Sequence, residues 1–237
     1  MTLTSNDNDQ LVNWSPRGRP DAESLEGQYV SLEQLVPDLH AADLHRANSA
    51  NDAIWDYLPY GPFASSASYH RWVKDITQTN DPVFYAIRPK STGHCSGVAS
   101  YLRIAPDAGS IEVGHINFSA ELQRTPAATE AIFLMMQWAF DAGYRRFEWK
   151  CDASNVGSRR AAQRFGFSYE GVFRQATVVK GRNRDTAWFA CIDKEWPALK
   201  EAFGAWLAPS NFDANGQQIE TLGALTRLVR VASDPAL

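Results

Sequence analysis

Gln123-Arg124-Thr125-Pro126-Ala127-Ala128-Thr129-Glu130-Ala131 is the stretch on which the fold turns. It opens a run that is apolar almost all round, Ala131-Ile132-Phe133-Leu134-Met135-Met136 and then Trp138-Ala139-Phe140. A helix of that kind is buried. Thr125 suits the cap and Pro126 the first helical position, where a missing N–H costs little. Gly143 suits the far end. The small residues 127 and 128 let an anion approach the free backbone N–H groups of the first turn, and the helix dipole favours negative charge there. A pyrophosphate fits that description, and so does an ordinary capped helix with no ligand.

Strand patterns surround this helix. Tyr29 to Glu33 alternates weakly, and Val83 to Arg88, Gly97 to Ile104 and Ser110 to Phe118 precede the helix, separated by turns at Ser91-Thr92-Gly93 and Asp107-Ala108-Gly109. Phe147, Trp149 and Cys151 alternate with Arg146, Glu148, Lys150 and Asp152 in a period-two strand. Two helices, from Pro37 and from Ser65, lie early. A short basic helix spans 155–165, two strands fall within 167–192 around Gly181-Arg182-Asn183-Arg184, and helices are expected over 194–207 and 218–231. The result is one mixed α+β domain. We read 1–26 as a mobile polar arm, 27–193 as the domain and 194–237 as a helical extension, with Trp196, Trp206 and Leu207 packing on the core or making a homodimer contact.

Composition sets wide limits. The 237 residues are 44% hydrophobic and 21% charged, ordinary globular values, with a net charge of −4 that argues against general nucleic-acid binding. No apolar run approaches membrane-spanning length, and nothing resembles a secretory signal. Cys95, Cys151 and Cys191 are scattered, which fits a reducing compartment, and the expected location is the cytoplasm. The five histidines show no metal-ligand spacing, so no metal is expected.

Beyond the helix lies Asn155-x-x-Ser158-Arg159-Arg160-Ala161-Ala162-Gln163-Arg164-Phe165-Gly166-Phe167, then Glu170-Gly171. The two motifs in this order, after Ile111-Glu112-Val113-Gly114, resemble the GNAT N-acetyltransferase superfamily over residues 28 to about 193. Ala-Thr-Glu-Ala after the turn, and Ser in the Asn-x-x-Ser motif, resemble its ribosomal-protein N-terminal (alanine/serine) acetyltransferase branch. The resemblance implies a mostly antiparallel sheet whose central parallel strands splay, and acetyl-CoA as co-substrate. It implies that a primary amine, on a protein N-terminus or a small metabolite, attacks the thioester directly, with no covalent enzyme intermediate.

Site residues follow from it. Gln123, Arg124, Thr125, Ala127, Ala128 and Thr129 would hold the pyrophosphate, and the backbone N–H of Ile116 or Phe118 the thioester and pantetheine arm. Asn155 would contact pantetheine or order a water. Ser158 would protonate the leaving thiolate, because the tyrosine that many members use is here Ala162. Pro126 replaces the first glycine of the family turn and removes a donor.

Residues 155–184 hold seven Lys/Arg against Glu170 alone, a local net +6, with Arg160 or Arg164 suited to the 3′-phosphate. Glu112 is the first candidate base, sharing an ideal strand face with Gly114, Ile116 and Phe118; Asp185 is the second, and Glu148 reads as solvated. His115 falls on the face opposite Glu112. Trp55, Tyr57 and Tyr60 are expected to wall the acceptor site, with Arg174 and Arg184 able to bind a carboxylate. Phe63 reads as loop packing. Two other functions remain: a non-catalytic acyl-CoA-binding domain, and a transferase for an acidic acyl group such as succinyl.

Overall fold

The computed structural model of the chain describes residues 11–237. The strands are β1 (Ser24–Glu26), β2 (Val30–Gln34), β3 (Val83–Pro89), β4 (Gly97–Ala105), β5 (Ser110–Phe118), β6 (Arg146–Asp152), β7 (Ser168–Val179) and β8 (Arg182–Ile192). They form a single sheet in the order β1-β2-β3-β4-β5-β6-β8-β7. Every neighbouring pair is antiparallel except β5 with β6. This is the expected mixed α+β architecture of the GNAT type.

The helices are α1 (Pro37–Asn48), α2 (Ser66–Ile76), α3 (Pro126–Asp141), α4 (Val156–Arg164), α5 (Trp196–Leu207) and α6 (Leu222–Thr226). The main core gathers α3 and α5 onto one sheet face, with Ile111, Val113, Phe147 and Phe189 from the strands, Phe167 just before β7 and Ala162 from α4. A second core packs α1 and α2 on the opposite face over β3 and β4, through Leu44, Tyr69, Val73, Phe84 and Val98. The part of that second face formed by β5, β6 and β8 carries polar and charged side chains instead.

Glu130, in the second turn of α3, is buried and accepts the backbone N–H groups of Gln28, Tyr29 and Val30 at 2.7, 2.6 and 3.0 Å. Those are the donors with which the chain enters β2, so one carboxylate ties the sheet edge to the central helix. A side chain at Gly27 would strike that carboxyl.

The expected arm is described from residue 11. Trp14 donates to the Asp107 carbonyl, and Tyr144 and Tyr85 donate to the carbonyls of Gly18 and Ala22, so this stretch runs against the domain before joining the sheet as β1. Residues 1–10 lie outside the described residues. The helix expected over 218–231 is cut to Leu222–Thr226. Beyond it Val231 donates to Ser168 Oγ and Tyr169 to the Ala232 carbonyl, so pairing with the start of β7 replaces helical bonding.

Candidate active site

Arg124 adopts φ +61° and turns the chain into the start of α3. Thr125 caps the helix, its Oγ1 accepting from the Ala128 N–H at 3.1 Å and donating to the Leu122 carbonyl at 2.7 Å. The N–H groups of Arg124, Thr125 and Ala127 have no acceptor among the described residues. Gln123 spends its side-chain amide on the Phe118 carbonyl at 2.8 Å, tying the turn to the end of β5. Thr129 Oγ1 accepts from an Arg164 terminal nitrogen at 3.3 Å. Among the described residues no carboxylate lies within 4.0 Å of Arg164, and burial lowers its pKa to about 10. An uncompensated cation therefore stands beside unpaired helix N–H groups, a combination built for an anion.

From this turn a gap opens in the sheet. β5 and β6 pair from Ser110↔Arg146 to Val113↔Trp149 and then part, β5 staying with β4 and β6 with β8. Ser119 donates its N–H to the Ser96 carbonyl on the β4 side, so by strand alternation the N–H groups of Phe118 and Ile116 point towards the gap.

Here β5 departs from an ideal strand. His115 has φ +50°, and the four residues 114–117 of β5 face only the three residues 100–98 of β4. This bulge reverses the alternation. Ile116 and Phe118 therefore join the core under α3 with Ile111 and Val113. They do not share the Glu112 face, and His115 is on that face rather than opposite it. His115 bonds the Tyr60 hydroxyl through Nδ1 at 3.1 Å, its ring stacked on Tyr60 and tilted against Phe84. Burial, with Arg103 and Arg184 nearby, lowers its pKa to about 4, so it is neutral at pH 7. Sequence reading passed over this histidine because only the bulge brings it to the site.

Glu112 is 2% exposed. Arg103 donates to both of its oxygens at 2.8 Å, and Lys150 Nζ lies 3.0 Å away. Burial pushes the carboxyl above its usual range, and the two cations pull it back only in part. A Cβ at Gly114 would sit 3.4 Å from Glu112 Oε1, so the carboxyl leans along β5 towards the parting point. Glu148 is not solvated as expected: its side chain is 13% exposed and bridges Lys150 and Arg146, each at 2.7 Å.

Asn155 caps α4, its Oδ1 accepting the Ser158 N–H at 3.0 Å. Ser158 Oγ accepts from the Trp149 indole at 3.0 Å, so its own hydroxyl proton is not used in that bond and lies beside the Cys151 thiol. Arg160 is exposed on α4.

The expected acceptor walls separate. Trp55, 3% exposed, is a core residue whose carbonyl accepts from Lys180 at 2.9 Å, and Phe63 packs edge-on against it. Tyr57 is exposed, and of the tyrosines in this loop it is Tyr60 that reaches the gap, through His115. Arg174 is exposed in the bulged stretch of β7, whereas Arg184 is half-buried. Asp185 accepts from the Gln175 N–H and from Asn183, bonds that hold its carboxyl below the usual range and hold the bulge in place. That is a structural carboxylate, unsuited to act as a base.

An acetyltransferase (GNAT) domain model matches residues 30–168. The chain belongs to the GNAT acetyltransferase family. It is 48% identical to a GCN5-related N-acetyltransferase from Brucella melitensis, with a TM-score of 0.90 over 92% of this chain and 100% of that one. A GNAT-family protein from Chromobacterium violaceum is 40% identical, with a TM-score of 0.77 over 84% and 100%. The ribosomal L7/L12 alpha-N-protein acetyltransferase RimL, at 23% identity and a TM-score of 0.62 over 75% and 98%, shares the GNAT fold. No curated protein matches the chain. Among the described residues no group of three or more His, Cys, Asp or Glu is placed to hold a metal, and no helix is long and apolar enough to cross a membrane.

Proposed function

We propose that this GNAT protein transfers an acetyl group from acetyl-CoA to a primary amine by direct attack in a ternary complex. The observation that carries this reading is the parting of β5 and β6 beside the turn into α3. Unpaired N–H groups of Arg124, Thr125 and Ala127, with the Arg164 guanidinium, would hold the pyrophosphate. Loss of a donor at Pro126 is offset by neighbours that remain free. The N–H groups of Ile116 and Phe118 would lie along the pantetheine arm, and such preorganised donors are the usual means of polarising a thioester carbonyl.

Glu112, leaning over Gly114, would draw the proton from the attacking ammonium, its raised pKa bringing it nearer the operating pH. Ser158 would return a proton to the thiolate. Tyr60 and His115 would wall the acceptor side, and the acceptor is a protein N-terminus or a small amine. The three cysteines are buried and unpaired, which suits the cytoplasm.

Calorimetry with acetyl-CoA, succinyl-CoA and free CoA, followed by thiol release with an amine panel, tests the reading. Preferential acetyl-CoA binding with amine-dependent thiol release supports it. Preference for succinyl-CoA moves the donor. Binding without turnover leaves a CoA-binding domain, and no binding withdraws the proposal.

A further inference from the structure

The open face over β5, β6 and β8 carries a network of matched charges around Glu112, Glu148 and Glu170. Arg103 and Lys150 hold Glu112, Lys150 and Arg146 hold Glu148, and Arg146 also holds Glu170. Arg184 makes no ion pair or side-chain hydrogen bond among the described residues, and its Nε is sealed from solvent with no acceptor. Four residues along β8, Trp188 repeats the situation: its indole Nε1 is sealed and unpartnered. Its ring is held between Lys150 Nζ, 3.7 Å from the centroid, and Phe173, 4.5 Å between centroids.

Residues 184 and 188 share a strand face. It is the face away from the core, because Ala187, Phe189 and Cys191 point into it. Trp188 pairs with Lys150 across the β6–β8 ladder, beyond the point where β5 has left. The charge of Arg184 is felt at His115 on β5 and at Cys151 on β6, the two sides of the gap.

We propose that the acceptor amine carries a carboxylate, and that Arg184, aided by the Trp188 indole, receives it. Buried donors left unpaired cost free energy that an arriving acceptor recovers. The guanidinium fork matches a carboxylate in two parallel bonds, and the indole adds a neutral donor. Placing the acid on β8 directs the amine of the same molecule back to the gap, towards Glu112. Glu112, Glu148 and Glu170 on this face are matched by cations and Asp152 is held by Ser154, while Arg184, unlike the exposed Arg182 at the start of β8, is half-buried beside the gap, so an incoming acid finds a partner at Arg184.

The proposal rests on the acetyl-transfer reading, and its test separates the two. The full chain with acetyl-CoA is assayed against a series of ω-amino carboxylates, the matching carboxamides and the matching aminoalkyl phosphates. We expect kcat/KM for the best carboxylate to exceed that of its amide by about 10- to 100-fold, as charge-assisted hydrogen bonds allow. Arg184→Gln should collapse this ratio towards unity, and Arg184→Lys should restore part of it. Trp188→Phe keeps the ring and loses the donor, so it should reduce the ratio more modestly, and it keeps the question answerable if Arg184→Gln does not fold. Equal rates on acids and amides, or a preference unchanged in both variants, overturns the proposal while transfer itself stands. Preference for phosphates overturns the carboxylate assignment. Acetyl-CoA binding with no turnover of any amine removes the transfer reading and this inference together.

Discussion

Arg159 on α4 and Asp234, 75 residues later, form a buried two-pronged ion pair, Nε to Oδ2 and Nη2 to Oδ1, each at 2.6 Å. The remaining guanidinium nitrogen donates to the Ala153 carbonyl at 2.8 Å, and the Asp234 N–H donates to Gln163 Oε1 at 2.7 Å. Thr226 bonds the Arg164 carbonyl at 3.1 Å. The C-terminal segment thus grips α4 from its first turn to its last, and α4 carries Asn155 at its cap, Ser158 and Arg164.

Breaking this grip should loosen the cofactor side of the site before it touches the chemistry. Asp234→Ala leaves Arg159 buried without a partner, a change that costs about 3–5 kcal/mol in comparable buried pairs. We expect a lower unfolding temperature and, in protein that remains folded, a raised KM for acetyl-CoA with kcat nearly unchanged. A fall in kcat with KM unchanged would show that Asp234 does not position α4. The double variant Arg159→Met/Asp234→Leu removes both charges and should recover much of the stability without recovering KM.

Arg164 should matter through its charge. It stands at the α3 N-terminus with no counter-ion among the described residues, its pKa already lowered to about 10 by burial. Arg164→Met should weaken CoA binding about 10- to 100-fold, the worth of a lost charge-assisted hydrogen bond, with a shallower salt dependence. Because burial of a charge without a counter-ion costs stability, the same variant should melt no lower than the parent. Unaltered CoA affinity would place the phosphates elsewhere.

The turn into α3 was legible from the sequence because its signals are local: Thr125 the cap, Pro126 the first residue, small side chains next, an apolar run behind. The strands were legible by alternation, as in Phe147, Trp149 and Cys151. His115 was not, because a bulge is a property of two strands in register and neither strand announces it alone. Glu148 was misread as solvated for a related reason, since its neighbours Lys150 and Arg146 cover it only once the sheet has formed. The Arg159–Asp234 pair joins residues with no short-range relation at all.

Glu33 predicts an acid-sensitive fold. Arg88 donates to it at 2.7 and 3.2 Å and His40 lies 3.0 Å away; the Arg88 bonds above all hold its pKa at about 2, below an ordinary 4.5. A carboxylate depressed in the folded state stabilises it above the unfolded pKa, and that contribution drains away as pH falls through the folded value. The unfolding midpoint should therefore drop as pH is taken from about 4.5 towards about 2. In Glu33→Gln the midpoint should be lower at neutral pH and fall less over the same window. Parallel melting curves for parent and variant would remove Glu33 from the explanation.

Ser158 and Glu112 act at opposite ends of the proposed transfer, so their variants should fail differently. Ser158→Ala keeps the helix and loses the hydroxyl whose oxygen the Trp149 indole bonds. Turnover should fall by about 10²-fold or more with CoA affinity retained, as for loss of a general acid. Glu112→Gln loses the proposed proton acceptor. In the parent, kcat/KM should climb with pH as Glu112 ionises, and this acid limb should lie above the range of an ordinary carboxylate because burial raises the pKa. The variant should be slow and lack that limb. A limb that persists in Glu112→Gln assigns the base to another group on the same face, and His115, neutral and bonded to Tyr60, is then the residue to substitute next.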